Sequence, residues 1–255
     1  MSKIIFAFDQ VEVRFGGLLA LSGLSMEVGE GTIHALIGPN GAGKSTAFNC
    51  ASRFYKPSHG DVIFQGKSLL RVKPSAIANI GIARTFQNVE LFGRMSVLEN
   101  VLVGMTPRID SYLPFVPGAR RRRIERGARH DAEALLDEFG LLDVRNTPAE
   151  ELDFGRQKML DVARALACKP KLLLLDEPAA GLRNREIAAL DAMLVELTRN
   201  RGMTIILIEH AMQLVMSIAD RITVLNFGAK IAEGPPDVIK EHPDVITAYL
   251  GTTHA

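Results

Sequence analysis

The chain has 255 residues, 47% hydrophobic and 23% charged, and its 30 Lys and Arg against 29 Asp and Glu leave a formal net charge of +1. This is a globular composition with enough length for one large α/β domain or two small ones, and it excludes a disordered, fibrous or collagen-like chain. The longest aliphatic runs, such as Leu172 to Leu175, fall far short of the roughly 18 apolar residues of a membrane-spanning helix, and the balanced charge gives no global attraction to nucleic acid or anionic lipid.

From the N-terminus, apolar residues alternate at Phe6, Phe8, Val11, Val13 and Phe15, which predicts a strand; Leu18 to Val28 reads as its return after a turn at Gly16-Gly17. Thr32 to Ile37 is a strand of the buried type that runs into a glycine-rich loop and then a helix from Lys44 to Ala51. Asp61 to Phe64 extends the N-terminal antiparallel β lobe, and Ile82 to Phe86 is a further short strand. From about Val97 to Ala167 the pattern is helical, with Ile124, Ala128, Ala132, Leu135, Leu136 and Phe139 spaced to share one face of a long helix. There follow strand Leu172 to Asp176, helix Arg185 to Asn200, strand Thr204 to Ile208 and strand Arg221 to Leu225. Strands separated by helices predict a parallel sheet covered on both faces. Cys50 and Cys168 lie far apart without metal-ligand spacing, and no signal-peptide core is present, so a reducing, cytosolic setting is expected.

Gly38-Pro39-Asn40-Gly41-Ala42-Gly43-Lys44-Ser45 fits G-x-x-x-x-G-K-[ST] between a strand and a helix. Glycines in such a loop let successive backbone N–H groups face one anionic centre, and the start of the helix adds its dipole. Lys44 then reaches the β- and γ-phosphates and Ser45 ligates magnesium. A phosphate loop alone leaves kinase, GTPase and ATPase open. Asp176-Glu177, at the end of a four-leucine run, supplies a carboxylate to orient magnesium and a neighbour able to act as general base on water.

With these motifs in order, the chain resembles the ATP-binding subunits of ABC transporters over nearly its whole length. Gln87 in Arg84-Thr85-Phe86-Gln87-Asn88 resembles the family's Q-loop, and Leu152-Asp153-Phe154-Gly155-Arg156-Gln157 stands where the LSGGQ signature belongs. Ala180-Gly181-Leu182 resembles the D-loop, His210 the switch histidine, and Phe15 the aromatic that stacks on adenine. The wording of Gly81 to Asn88, of Asp176 to Leu182 and of Ala248-Tyr249-Leu250-Gly251 looks like the branched-chain amino acid uptake class, which implies a subunit that hydrolyses ATP to power uptake of branched-chain amino acids or a related small polar solute.

The resemblance implies a P-loop NTPase (RecA-like) α/β core with an antiparallel β subdomain and an α-helical subdomain inserted at about 95–167, all of 1–255 forming one nucleotide-binding domain. It implies ATP and Mg2+ as ligands. The nucleotide contacts would be Phe15, Gly38, Pro39, Asn40, Gly41, Ala42, Gly43, Lys44, Ser45, Thr46 and Gln87, with Asp153, Gly155 and Arg156 reaching the nucleotide of a second subunit. Ser45, Gln87 and Asp176 would manage magnesium, while Glu177, His210 and Lys44 would carry the chemistry. The implied partners are a second ABC ATPase subunit, identical or different, transmembrane permeases and, indirectly, a solute-binding protein, with no nucleic acid. The implied location is peripheral, on the cytoplasmic face of the inner membrane.

The signature departs from the pattern: its serine is Asp153, its first glycine Phe154 and its glutamine Arg156. A carboxylate facing a γ-phosphate at about 4 Å would cost roughly 4 kcal/mol at an effective dielectric near 20. Asp is also a preferred helix N-cap, and Arg156 can offer a guanidinium to phosphate, so ATP binding with Arg156 partly replacing the serine is the expectation. Arg183 stands where relatives often carry Asn, which bears on communication between sites. A regulatory subunit with one impaired site, and a soluble ABC ATPase outside transport, are the alternatives. Arg120 to Arg123, with Arg126 and Arg129, form the one concentrated basic cluster, either a solvated helix face or a contact for lipid headgroups or acidic permease loops.

Overall fold

A computed structural model describes residues 3–107 and 118–250. Four strands build the N-terminal lobe: β1 (Ile4–Phe15), β2 (Leu18–Gly29), β4 (His59–Phe64) and β5 (Lys67–Ser68), antiparallel in the order β2-β1-β4-β5. Phe6, Phe8, Val11 and Val13 are all buried, although the step from Phe8 to Val11 breaks a strict alternation. A bulge resolves the conflict: the ladder shifts between Phe8 and Val11, with Gln10 at φ 48°, so the pleat restarts in phase with the core.

The second sheet contains β3 (Ile33–Ile37), β6 (Ile82–Arg84), β7 (Leu172–Asp176), β8 (Thr204–Ile208), β9 (Arg221–Asn226) and β10 (Ala229–Gly234), in the order β10-β9-β3-β8-β7-β6. Every residue of β3, β7 and β8 is buried, as expected of strands covered on both faces. The pleat divides their side chains. Leu172, Leu174, Ile206 and Ile208 join the β lobe and Phe48 of α1 (Lys44–Ala51) in one core, while Leu173, Leu175, Ile205 and Leu207 join Leu190, Leu194 and Leu197 of α5 (Asn184–Arg199) in another. Between β6 and β7 the chain forms α2 (Val97–Gly104), α3 (Gly118–Glu138) and α4 (Phe154–Leu166). Their shared core includes Val101, Ala132, Leu136 and Leu160, with Ala128, Leu135 and Phe139 packed against it, so the α3 stripe faces inward from Ala128 onward, while Ile124 joins none of the cores. Three short helices, α6 (Met212–Ile218), α7 (Pro236–Lys240) and α8 (Pro243–Leu250), complete the described chain; Gly251 of the C-terminal motif lies outside the described residues.

Two expectations need correction. The sheet is not wholly parallel, because β10 returns antiparallel along β9. Its turn was hidden by Phe227 and Gly228 at φ 45° and 79°, a tight hairpin turn in which Phe occupies a place that usually signals itself by Asn, Asp or Gly. Strand β6 also ends at Arg84 rather than Phe86: Thr85 keeps one bond to the Leu174 carbonyl, and Phe86 turns away to pack edge-on against Phe54. The arginines of the basic cluster lie exposed along the first turns of α3, where Arg121 pairs with Glu125 and Arg129 with Glu133.

Inside β3, His34 is buried with its Nε2 2.8 Å from Thr223 Oγ1. Burial is the main reason its pKa falls to about 4; Arg221 and Lys230 push the same way, and Glu233 and Asp220 oppose them. The unfolded chain therefore takes up a proton near pH 6.5 that the folded chain refuses until about pH 4. The stabilising contribution is complete above the first value and is lost as pH falls toward the second, to the extent of about 3 kcal/mol. His34→Gln, which retains a donor for Thr223, is expected to flatten that part of the melting-temperature profile. An unchanged acid slope would assign the effect elsewhere.

Candidate functional site

The turn from β3 into α1 builds the phosphate-binding loop. A Cβ on Gly38 would overlap the Leu225 carbonyl oxygen, and one on Gly43 would lie 2.7 Å from the Ala20 carbonyl oxygen, so the loop follows a path between β9 and β2 that only glycine permits at these two points. Gly43 is the N-cap of α1 and supplies no capping side chain. The N–H groups of the first turn are thus available to an anion. Lys44 is buried, its Nζ donating to the carbonyls of Gly38 at 2.7 Å and Pro39 at 2.9 Å. Burial pushes its pKa down, opposed by Glu177 and Asp176.

Around this loop lies an open cavity of about 530 Å³. Asn40 to Thr46 form its floor, Phe15 and Leu18 to Ala20 one wall, and Gln87, Glu177 and His210 the other, with Phe227 at the rim. Phe15 is half exposed and braced edge-on by Tyr55, with ring centroids 5.2 Å apart. Gly38 and Pro39 are not among the residues that line the cavity.

Glu177 follows β7 directly and holds φ at 50°, a left-handed conformation that costs a non-glycine residue of order 1–3 kcal/mol. Its N–H donates to the Ile208 carbonyl at 2.9 Å, which fastens the end of β7 to that of β8. Its carboxylate has two partners: Gln87 Nε2 donates to Oε2 at 2.9 Å, and His210 Nε2 lies 3.1 Å from Oε1. Asp176, one residue earlier, is buried and ion-paired with Arg84 at 2.9 Å. Burial drives its pKa up and the Arg84 guanidinium pulls it back. Among the described residues no group of three or more His, Cys, Asp or Glu is arranged to hold a metal. Of the residues expected to manage magnesium, Ser45 and Gln87 line the cavity and Asp176 does not; each carries a hard oxygen atom of the kind magnesium takes.

Asp153, Gly155 and Arg156 are not among the residues that line this cavity. They begin α4, where Asp153 is the N-cap and its Oδ1 accepts from the Arg156 N–H at 2.9 Å. The Arg156 guanidinium lies 3.7 Å from Asp153 and 3.8 Å from Asp143. Asp153 is therefore offset both by a backbone N–H and by a cation.

Three residues of the site escape a linear reading. Glu209 is buried and accepts from the N–H groups of Ala179, His210 and Ala211, which fixes the segment carrying the histidine. Lys158 is also buried and donates to the carbonyls of Gln87 at 3.1 Å and Glu177 at 3.3 Å, tying α4 to both. Arg84 holds Asp176. The available signal was a lone charge at the end of an apolar run, which for Glu209 and Arg84 marks a buried group in need of a partner.

Comparison with known proteins agrees with this geometry. Residues 21–180 match the family model described as ABC transporter, and residues 229–255 match that described as branched-chain amino acid ATP-binding cassette transporter. The chain is 44% identical to the high-affinity branched-chain amino acid transport ATP-binding protein LivG of Salmonella typhimurium, over 98% of this chain and 99% of that one. It is 42% identical to the corresponding protein BraF of Pseudomonas aeruginosa over the same shares. Among solved structures, the ADP conformation of an ATP-binding cassette of an ABC transporter superposes with a TM-score of 0.84 at 30% identity, covering 98% of this chain and all (100%) of that one.

Proposed function

Since the chain belongs to the ABC transporter family, we propose that it is the ATP-hydrolysing subunit of an importer and that its cargo class is the branched-chain amino acids. One observation carries the catalytic part: the Glu177 carboxylate, held by Gln87 and His210, faces the same cavity as Lys44 and the phosphate loop. ATP would lay its adenine on Phe15 and its phosphates along Asn40 to Thr46. Magnesium, when bound, would neutralise phosphate charge, with Ser45, Gln87 and Asp176 as its protein-side holders. Glu177 would take a proton from the attacking water, His210 would orient Glu177 and contact the γ-phosphate, and Lys44 would offset charge that develops during transfer.

The N-terminal segment of α4 supports a second part of the reading. Asp153 and Arg156 would serve the nucleotide of a second cassette subunit, identical or different, and the repulsion expected of Asp153 is reduced by its own N-cap bond and by Arg156. The same observation argues against a purely regulatory subunit. Permeases would provide the transmembrane path, since no helix among the described residues is long and apolar enough to cross a membrane, and a solute-binding protein would deliver cargo. The subunit would then lie peripherally on the cytoplasmic face of the inner membrane.

Uptake of leucine, isoleucine and valine by a strain lacking this chain tests both parts. Deletion is expected to abolish high-affinity uptake of all three, wild type to restore it, and Arg156→Ala to restore only a fraction. Unaffected uptake on deletion would overturn the cargo assignment. Full restoration by Arg156→Ala would overturn the role given to that arginine.

A further inference from the structure

Arg84 ends β6, three residues before Gln87, and its side chain is only 9% exposed. Its fork spans three elements. One terminal nitrogen donates to Asn49 Oδ1 at 2.7 Å and Ser52 Oγ at 2.8 Å, near the end of α1, and the other donates to Asp176 Oδ2 at 2.9 Å. The rings of Phe48, Phe54 and Phe86 surround the guanidinium at 5.6, 5.9 and 5.1 Å. The plane of the cation is thus set by aromatic contacts and by two hydrogen bonds made away from the carboxylate.

We propose that Arg84 is a positioning residue for metal-dependent nucleotide binding: it pins one oxygen of Asp176 and thereby fixes where the other oxygen points. The proposal rests on the reading of Asp176 as a magnesium-holding carboxylate. A carboxylate on a single-bond stem can rotate, and binding one of its oxygens at 2.9 Å removes that freedom before any metal arrives. The same guanidinium reaches Asn49 and Ser52, so the helix that follows the phosphate loop and the strand that carries Asp176 are held in one register. Lysine would keep the charge but could not reproduce a planar fork with several fixed donors. Arg84→Lys therefore separates orientation from neutralisation.

The test uses the full chain with saturating ATP and Mn2+ as the probe, its binding read by electron paramagnetic resonance. Half-saturation by Mn2+ in Arg84→Lys is expected at about tenfold higher concentration, the scale seen when a residue orienting a metal ligand is replaced. ATP affinity measured in EDTA should stay within about twofold, since no phosphate contact is lost. Asp176→Asn serves as the control and should raise the Mn2+ requirement at least as much. Unchanged Mn2+ binding in Arg84→Lys beside a raised requirement in Asp176→Asn would overturn the role of Arg84 alone; unchanged binding in both would remove the metal reading of Asp176 as well. Should Arg84→Lys not fold, Ser52→Ala removes one anchor of the fork. A rise in the half-saturating Mn2+ concentration, smaller than that of Arg84→Lys because Asn49 still holds the same nitrogen, is then expected, and no rise overturns the proposal.

Discussion

Glu177→Gln is expected to lower ATP turnover by about 10²–10⁴-fold while ATP affinity changes little, the range lost when a positioned general base is removed. The substitution is nearly isosteric and leaves the phosphate loop, Lys44 and Ser45 untouched. Glutamine can still accept from Gln87 and meet His210 across the distances of 2.9 and 3.1 Å seen for the carboxylate. It cannot take a proton from water. Binding and hydrolysis should therefore separate, and if two cassette subunits share each nucleotide as proposed, ATP-bound dimers should accumulate because the ATP that joins them is not consumed. Phosphate release under single-turnover conditions, with gel filtration in ATP, measures both. The backbone gives independent support for the role of the side chain: at φ 50° glycine would be less strained than glutamate, so the carboxylate occupies a position that stability alone would not select. Normal turnover in Glu177→Gln would move the base elsewhere in the cavity.

What could be read from the sequence was what depends on near neighbours. The phosphate loop declares itself because strand, glycines, lysine and helix lie within some twenty residues, and the four-residue spacing of Ala128, Ala132 and Leu136 is enough to orient α3. Burial of β7 and β8 follows from unbroken aliphatic runs. What stayed hidden depends on pairing across the chain. Arg84 and Asp176 are 92 positions apart, and Lys158 lies 71 positions from Gln87, so no local pattern announces that they meet. The Gln10 bulge and the Phe227-Gly228 turn were obscured for a different reason: each places a residue other than glycine or asparagine at positive φ, where sequence reading expects those two. The N-cap role of Asp153 was accessible, because capping is a short-range contact. The pairing of Arg156 with Asp143, on a neighbouring segment, was not.

Lys44→Met is expected to separate stability from function more sharply than any other replacement at the site. The Lys44 ammonium is buried and donates to two loop carbonyls, at 2.7 and 2.9 Å from Gly38 and Pro39. Those bonds stabilise the loop, but burial of the charge opposes them, as the lowered pKa of Lys44 records. Methionine keeps the stem, relieves the buried charge and leaves the two carbonyls without that donor; the relief offsets part of the roughly 1–3 kcal/mol that an acceptor deprived of its partner costs, so the loss in unfolding free energy should stay below about 3 kcal/mol. Affinity has no such cancellation. ATP brings phosphate oxygens that need a cation, and losing one charge-assisted bond of about 1.5–3 kcal/mol raises Kd by about 10–100-fold. Turnover should fall further still, because the ammonium would also face charge that grows in the transition state, where loss of one such donor costs about 10²–10³-fold. Calorimetric ATP titration beside urea unfolding of the free chain separates the two quantities. Weak binding with a smaller loss of stability places Lys44 on the phosphates, whereas equal losses in both would reduce it to a brace for its own loop.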